Sequence, residues 1–217
     1  MPASVSARSL AWVVLVPMRA LPGAKSRLID AADDTLGHVR LVAAIRSDTL
    51  AAASAAAGVA VVVPVVDAPG VTELASFVQA QPGLNGGLAE AARWAAQRWP
   101  GYGLAVLVGD LPALRPQDLG AALAAAAEQP HAFVADAPGT GTTLLTAAPG
   151  ALLNPEFGPG SAARHARAGV HLPAAAGLRA DVDTAEDLRA ALRLGIGPAT
   201  AAVLRQQRSR GVRSGTA

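Results

Sequence analysis

Two sets of charged residues are spaced for chemistry on anions. Arg19, Lys25 and Arg27 crowd one short stretch broken by Pro22 and Gly23, and Asp110, Asp181 and Asp183 lie far away in the chain. Asp110 follows the apolar run Leu104 to Val108, so it belongs at the end of a strand. Asp181 and Asp183 are two residues apart, which puts both carboxylates on one side of an extended segment. Carboxylates meeting cations at one sheet edge can hold magnesium and a polyphosphate together, because the metal needs hard oxygen ligands and the phosphates need donors. Each residue also has a local reading. Surface Arg and Lys often only face water, an Asp after a strand forms turns or caps, and Asp183 stands beside Thr184, whose helix carries Asp187 three residues on.

Two glycine-rich stretches add backbone donors to this list. Gly139-Thr140-Gly141-Thr142 and Phe157-Gly158-Pro159-Gly160-Ser161 let the main chain approach a ligand, and Ser161 is expected to cap a short helix over Ala162 to Ala168. Neither is a Walker loop. Arg164 and His165 sit one turn inside that helix, and Arg164 is the better candidate for an anion contact.

The elements that must position these residues follow from periodicity. Leu10 to Val16 reads as a buried strand leading into the basic stretch, and Leu36, Val39, Ala43 and Leu50 mark a helix from about Thr35 to Ala57, ended by Gly58. Val59 to Val66 is a second strand. Thr72 to Gln79 and Leu88 to Gln97 read as helices, separated by a turn over Gln81 to Gly87. Leu104 to Val108 is a third strand, Pro116 opens a helix to about Glu128, and Ala132 to Ala135 is another strand. Leu188, Ala191 and Leu192 stripe a further helix. This alternation predicts right-handed crossovers in an α/β three-layer sandwich with a mostly parallel sheet, its site along the carboxyl ends of the strands.

Composition bounds the rest. The 217 residues suit one domain, 52% are hydrophobic, and most of these are Ala and Val, so the layers should be thin. No Cys is present, which excludes a thiolate nucleophile, a disulfide or a thiolate metal site and points to a reducing cytoplasm. The four His lack ligand spacing, so zinc is excluded and any metal must be held by oxygen. Net charge is only +2, and Arg205, Arg208, Arg210 and Arg213 lie in a segment without aromatic residues; nucleic acid is not an expected partner. After Leu10 to Val16, Arg19 and Lys25 stand where a signal peptide would have its cleavage site, and Gly58 and Pro64 interrupt the uncharged run Thr49 to Val66, so neither export nor a membrane span is expected. The expected organisation is a flexible N-terminus over 1–9, the domain over 10–204 and a basic, disordered tail over 205–217; oligomeric state is not readable.

Taken together, Val16-Pro17, Arg19, Ala24 to Leu28, Leu84-Asn85, Gly109 to Pro112, Gly139 to Thr142, Phe157 to His165 and Asp181 to Thr184 resemble the 2-phospho-L-lactate guanylyltransferase family of coenzyme F420 biosynthesis, in its bacterial phosphoenolpyruvate branch. The resemblance spans almost the whole chain. It implies a single-domain nucleotidyltransferase fold of GT-A-like, Rossmann-like type and transfer of GMP from GTP to phosphoenolpyruvate, giving enolpyruvoyl-2-diphospho-5'-guanosine and diphosphate. By position it implies that Asp110, Asp181 and Asp183 bind Mg2+, that Thr142, Gly158 and Ser161 hold phosphoenolpyruvate, and that Lys25 and Arg27 meet GTP phosphates. Arg19 stands where the family commonly has Lys, which keeps the charge but changes its geometry. The preference for guanine is also carried by the resemblance, with Asn85 as the expected base reader.

Such a transfer suits the residues available. The attacking group is a phosphate oxygen, already anionic at pH 7 because its second pKa is about 6, so no strong general base is required. Alternatives are the same reaction on 2-phospho-L-lactate or 3-phosphoglycerate, a sugar-phosphate or molybdopterin nucleotidyltransferase, a GT-A glycosyltransferase, and a nucleotide-binding subunit without activity.

Overall fold

The computed structural model describes residues 10–18 and 35–214. The apolar run near the N-terminus forms β1 (Trp12–Met18), which takes an interior place in the sheet because it can be covered on both faces. Its side chains alternate accordingly. Trp12, Val14, Val16 and Met18 join one core cluster, and Val13 and Leu15 join another on the opposite face. The first cluster is covered by α1 (Thr35–Ser54) and α3 (Pro116–Ala126), the second by α2 (Leu84–Arg98). Ala52, Ala53, Ala91, Ala92 and Ala95 pack there together with Leu88, Leu119 and Leu123, so small side chains make up much of the helix surface against the sheet.

The sheet has seven strands in the order β3-β2-β1-β4-β6-β5-β7. Strands β2 (Val59–Val66), β4 (Gly103–Leu107) and β5 (His131–Ala135) fall where the apolar periodicity puts them. Pairings β1·β2, β1·β4, β2·β3 and β5·β7 are parallel, while β6 (Thr142–Ala147) is antiparallel to both β4 and β5. The mostly parallel α/β sandwich is therefore the architecture observed. Because β6 runs backwards, its first residue, Thr142, opposite Ala135, lies at the same edge as the ends of β4 and β5. That strand is absent from the periodicity reading, which treats 139–142 as a loop.

Three expectations are corrected. Residues 72–79 are not a helix but a loop ending in β3 (Phe77–Val78), which pairs with Val65 and Val66 and is held by Phe77 against Trp94 of α2, ring centroids 5.1 Å apart. A helical stripe eight residues long cannot compete with the open edge of a strong parallel strand. The turn expected to reach Gly87 ends sooner, since α2 begins at Leu84. Finally, α7 (Pro198–Ser214) carries helix through most of the stretch that composition alone reads as a tail. The remaining elements are α4 (Ser161–His165), β7 (Val170–His171), α5 (Ala176–Arg179) and α6 (Ala185–Leu194). Among the described residues no helix is long and apolar enough to cross a membrane.

Candidate active site

Asp110 lies just past β4, and two contacts fix the chain there. The Thr49 hydroxyl of α1, itself bonded to the Ile45 carbonyl, accepts from the Leu111 N–H at 3.0 Å. The Val182 N–H donates to the Asp110 carbonyl at 3.0 Å. Val182 is fully buried against Leu41, Ile45, Leu188 and Ala191, and it is flanked by half-buried Asp181 and exposed Asp183. Two acidic segments separated by some seventy residues thus meet through a main-chain hydrogen bond. The expected capping box closes the other side: Thr184 accepts from the Asp187 N–H, and the Asp187 carboxylate accepts from the Thr184 N–H. It opens α6 and anchors the acidic pair.

Among the described residues no group of three or more His, Cys, Asp or Glu side chains is assembled to hold a metal ion. Asp110, Asp181 and Asp183 share an edge without forming a closed cage. A half-buried cation that the sequence reading missed lies nearby. Arg46 of α1 is held below the usual arginine range by burial, opposed by the charges of Asp110 and Asp67, and remains a guanidinium at neutral pH. Its only sequence signal is a lone Arg between the buried positions Ile45 and Thr49.

The expected basic contacts, Arg19, Lys25 and Arg27, lie outside the described residues. Beside the end of β1 the described residues enclose a cavity of about 280 Å³ lined by Pro17, Met18, Val65, Asp67, Gln79, Gly83 and Leu84. Asn85, the expected base reader, is bonded to the main chain of a neighbouring loop. Its side chain donates to the Phe157 carbonyl at 3.0 Å and accepts from the Phe157 N–H at 2.8 Å, so both ends of the amide tie α2 to the 157–161 loop.

That loop and the start of β6 form a second, tightly bonded group. Gly158 (φ 117°) and Gly160 (φ 73°) take backbone conformations that a side chain would strain, and they turn the chain into α4. Ser161 is the first helical residue rather than the cap, which is Gly160. Its buried hydroxyl donates instead to Thr142 Oγ1 at 3.2 Å. His165 Nδ1 lies 2.8 Å from the same oxygen, and His165 Nε2 accepts from the Glu156 N–H at 3.0 Å. Burial pulls the His165 imidazole below its ordinary value; Glu156 opposes this and Arg164 adds to it. Arg164 proves to be scaffold. Its guanidinium donates to the carbonyls of Glu156, Gly158 and Pro159, which uses the side chain to shape the loop.

The 139–141 stretch does not present open amides either. The Asp136 carboxylate accepts from the Thr140 and Gly141 N–H groups, both at 2.8 Å, and a Cβ on Gly141 would collide with it. Arg179 grips the carbonyls of Ala135 and Asp136 from the other side. The stretch is a hairpin turn that aims Thr142. The two halves of the site are coupled through the sheet, since the Val108 N–H, two residues before Asp110, donates to the Thr143 carbonyl at 3.0 Å.

No protein-family model matches the chain. Curated proteins do. It is 48% identical over 205 residues to a phosphoenolpyruvate guanylyltransferase of Streptomyces scabiei, covering 88% of this chain and 94% of that one. The protein of the same name from Geodermatophilus obscurus is 50% identical over 207 residues, covering 89% and 94%. The chain belongs to the phosphoenolpyruvate guanylyltransferase family. As a member of that family it is an enzyme of the nucleotidyltransferase class, and the acidic edge and the Thr142 group are its candidate catalytic machinery. Among solved structures, a protein described as a nucleotide-diphospho-sugar transferase from Desulfovibrio desulfuricans G20 aligns with TM-score 0.71 at 17% identity, covering 91% of this chain and 95% of that one. At that identity the likeness concerns the fold.

Proposed function

We propose that this enzyme transfers GMP from GTP to phosphoenolpyruvate. A phosphate oxygen of the acceptor attacks the α-phosphorus, a new P–O bond forms, and the bond to the β-phosphate breaks. Diphosphate leaves with the electron pair, and enolpyruvoyl-2-diphospho-5'-guanosine remains. On the family resemblance we assign the reaction to coenzyme F420 biosynthesis, and on the GTP requirement and the lack of Cys to the cytoplasm. One observation carries the reading: the Val182 to Asp110 hydrogen bond joins the acidic segments at the edge to which antiparallel β6 also brings Thr142.

The chain's task is then to hold two mutually repelling anions in line. Thr142, Gly158 and Ser161 are assigned to the acceptor, and Arg19, Lys25 and Arg27 to the GTP phosphates. Arg46 faces Asp110 with a charge that can balance the carboxylates between turnovers. The donors fit a hard divalent cation, because magnesium takes one or two carboxylates and completes its shell from water and phosphate oxygens. Asp110, with Asp181 and Asp183, would hold it, and when bound it supplies positive charge against the α-phosphate and the departing diphosphate.

The test is diphosphate release with GTP or ATP against phosphoenolpyruvate, 2-phospho-L-lactate and 3-phosphoglycerate. GTP with phosphoenolpyruvate should react fastest. A faster second acid would reassign the acceptor, and GDP release from a nucleotide sugar would indicate glycosyl transfer instead.

A further inference from the structure

We propose that His165 is the positioning residue of the acceptor subsite: as a neutral imidazole protonated on Nδ1, it compels the Thr142 hydroxyl to offer its own proton to the bound acid. The inference rests on the assignment of Thr142 and Ser161 to the acceptor. A backbone N–H can only donate, so the Glu156 N–H at 3.0 Å makes His165 Nε2 an acceptor. A neutral imidazole carries one proton, which must then be on Nδ1. At 2.8 Å it is donated to Thr142 Oγ1. Ser161 Oγ donates to the same oxygen at 3.2 Å. With both lone pairs of Thr142 Oγ1 engaged, the hydroxyl can only donate onward, which is the polarity a carboxylate or phosphate requires.

The surroundings keep the ring in this state. His165 is 4% exposed, with Phe157 and Phe133 ring centroids at 5.3 and 6.2 Å. Charged or titratable groups facing it are Arg164 on its own helix, Glu156 on the preceding loop, and His171 of β7, stacked on the far partner Phe133 at 5.1 Å. An imidazolium would set a second N–H against that of Glu156. Protonation therefore breaks the arrangement rather than strengthening it.

Nitrogen-15 NMR of the full-length protein tests the tautomer directly, the His165 resonances being assigned by their loss in His165→Asn. Nδ1–H with a bare Nε2 at pH 7 is expected; Nε2–H or imidazolium would overturn the inference. Kinetics test the role. His165→Ala should raise KM for phosphoenolpyruvate about tenfold or more with KM for GTP unchanged. His165→Asn, which keeps a donor near the Nδ1 position, should recover most of that loss. In a Thr142→Val background His165→Ala should add nothing, because the ring acts through the hydroxyl. Additive losses, or equal changes in both KM values, would refute it. If the wild type releases no diphosphate with any of the three acids, the assignment of function fails, whereas the tautomer result stands apart from it.

Discussion

At Asp110 the main chain and the side chain have separate duties. The carbonyl holds Val182, whereas the carboxylate faces Arg46 and the proposed magnesium position. Asp110→Asn leaves the first intact and removes the charge. Diphosphate release should drop by about 10²-fold or more while the melting temperature stays within about 2 °C, and near-normal turnover would exclude Asp110 from metal binding. His165 carries a different signature, readable in stability. Its folded pKa lies below the unfolded value of about 6.5, so the unfolded chain binds more protons once pH drops below that value. Stability is complete above pH 6.5 and declines as pH falls through the folded pKa. Thermal melts at pH 7 and pH 5 should show a drop that is smaller in His165→Asn. Position along the chain is legible where a strand decides it: Asp110 lies just past β4, as the apolar run before it predicts. The sequence does not show that the polar groups of Asn85 and Arg164 bond the main chain of one glycine-bent loop, because such bonds depend on chain segments up to 72 residues away.

Elements show the same division. β1, β2, β4 and β5 and the helices over them are legible because each buries a periodic set of apolar side chains. β6 is hidden: its threonines look polar, yet Thr142, Thr143 and Thr146 are all buried, with Thr146 bonded to the Ala132 carbonyl at 3.1 Å. The start of α7 is hidden for another reason, since its cap comes from a distant helix. Buried Asp48 of α1 accepts from the Ala199 N–H at 3.0 Å and the Thr200 N–H at 2.8 Å, and a Cβ on Gly197 would collide with it. An N-cap supplied in trans should still be worth what a local one is, and burial adds the cost of two stranded amides. Asp48→Ala should therefore destabilise the protein by about 2 kcal/mol in urea melts, with kcat for diphosphate release unchanged. A neutral result would mean that α7 is seated by Val203 and Leu204 packing alone.

For the whole molecule, main-chain bonding and burial hold the segments of the edge together. Asp110 and the Asp181 to Asp183 segment are joined by a hydrogen bond and by burial of Val182, and Thr142 is aimed by a closed hairpin. Chelators should accordingly leave the melting temperature of the free protein unchanged. Nucleotide binding is another matter, because the carboxylates assigned to this edge and a nucleoside triphosphate repel unless a cation lies between them. On the proposed function, GTP with Mg2+ at about 100 times its Kd should stabilise the folded state by about 2.7 kcal/mol, which for a chain of this length would raise the melting temperature by about 5–10 °C. Mg2+ alone, or GTP with EDTA, should move it by less than about 2 °C. Thermal shift in the four conditions separates the cases: an equal rise with GTP in EDTA would mean that the basic segment after Met18 binds the phosphates unaided, and the acidic edge would then need a role other than metal binding.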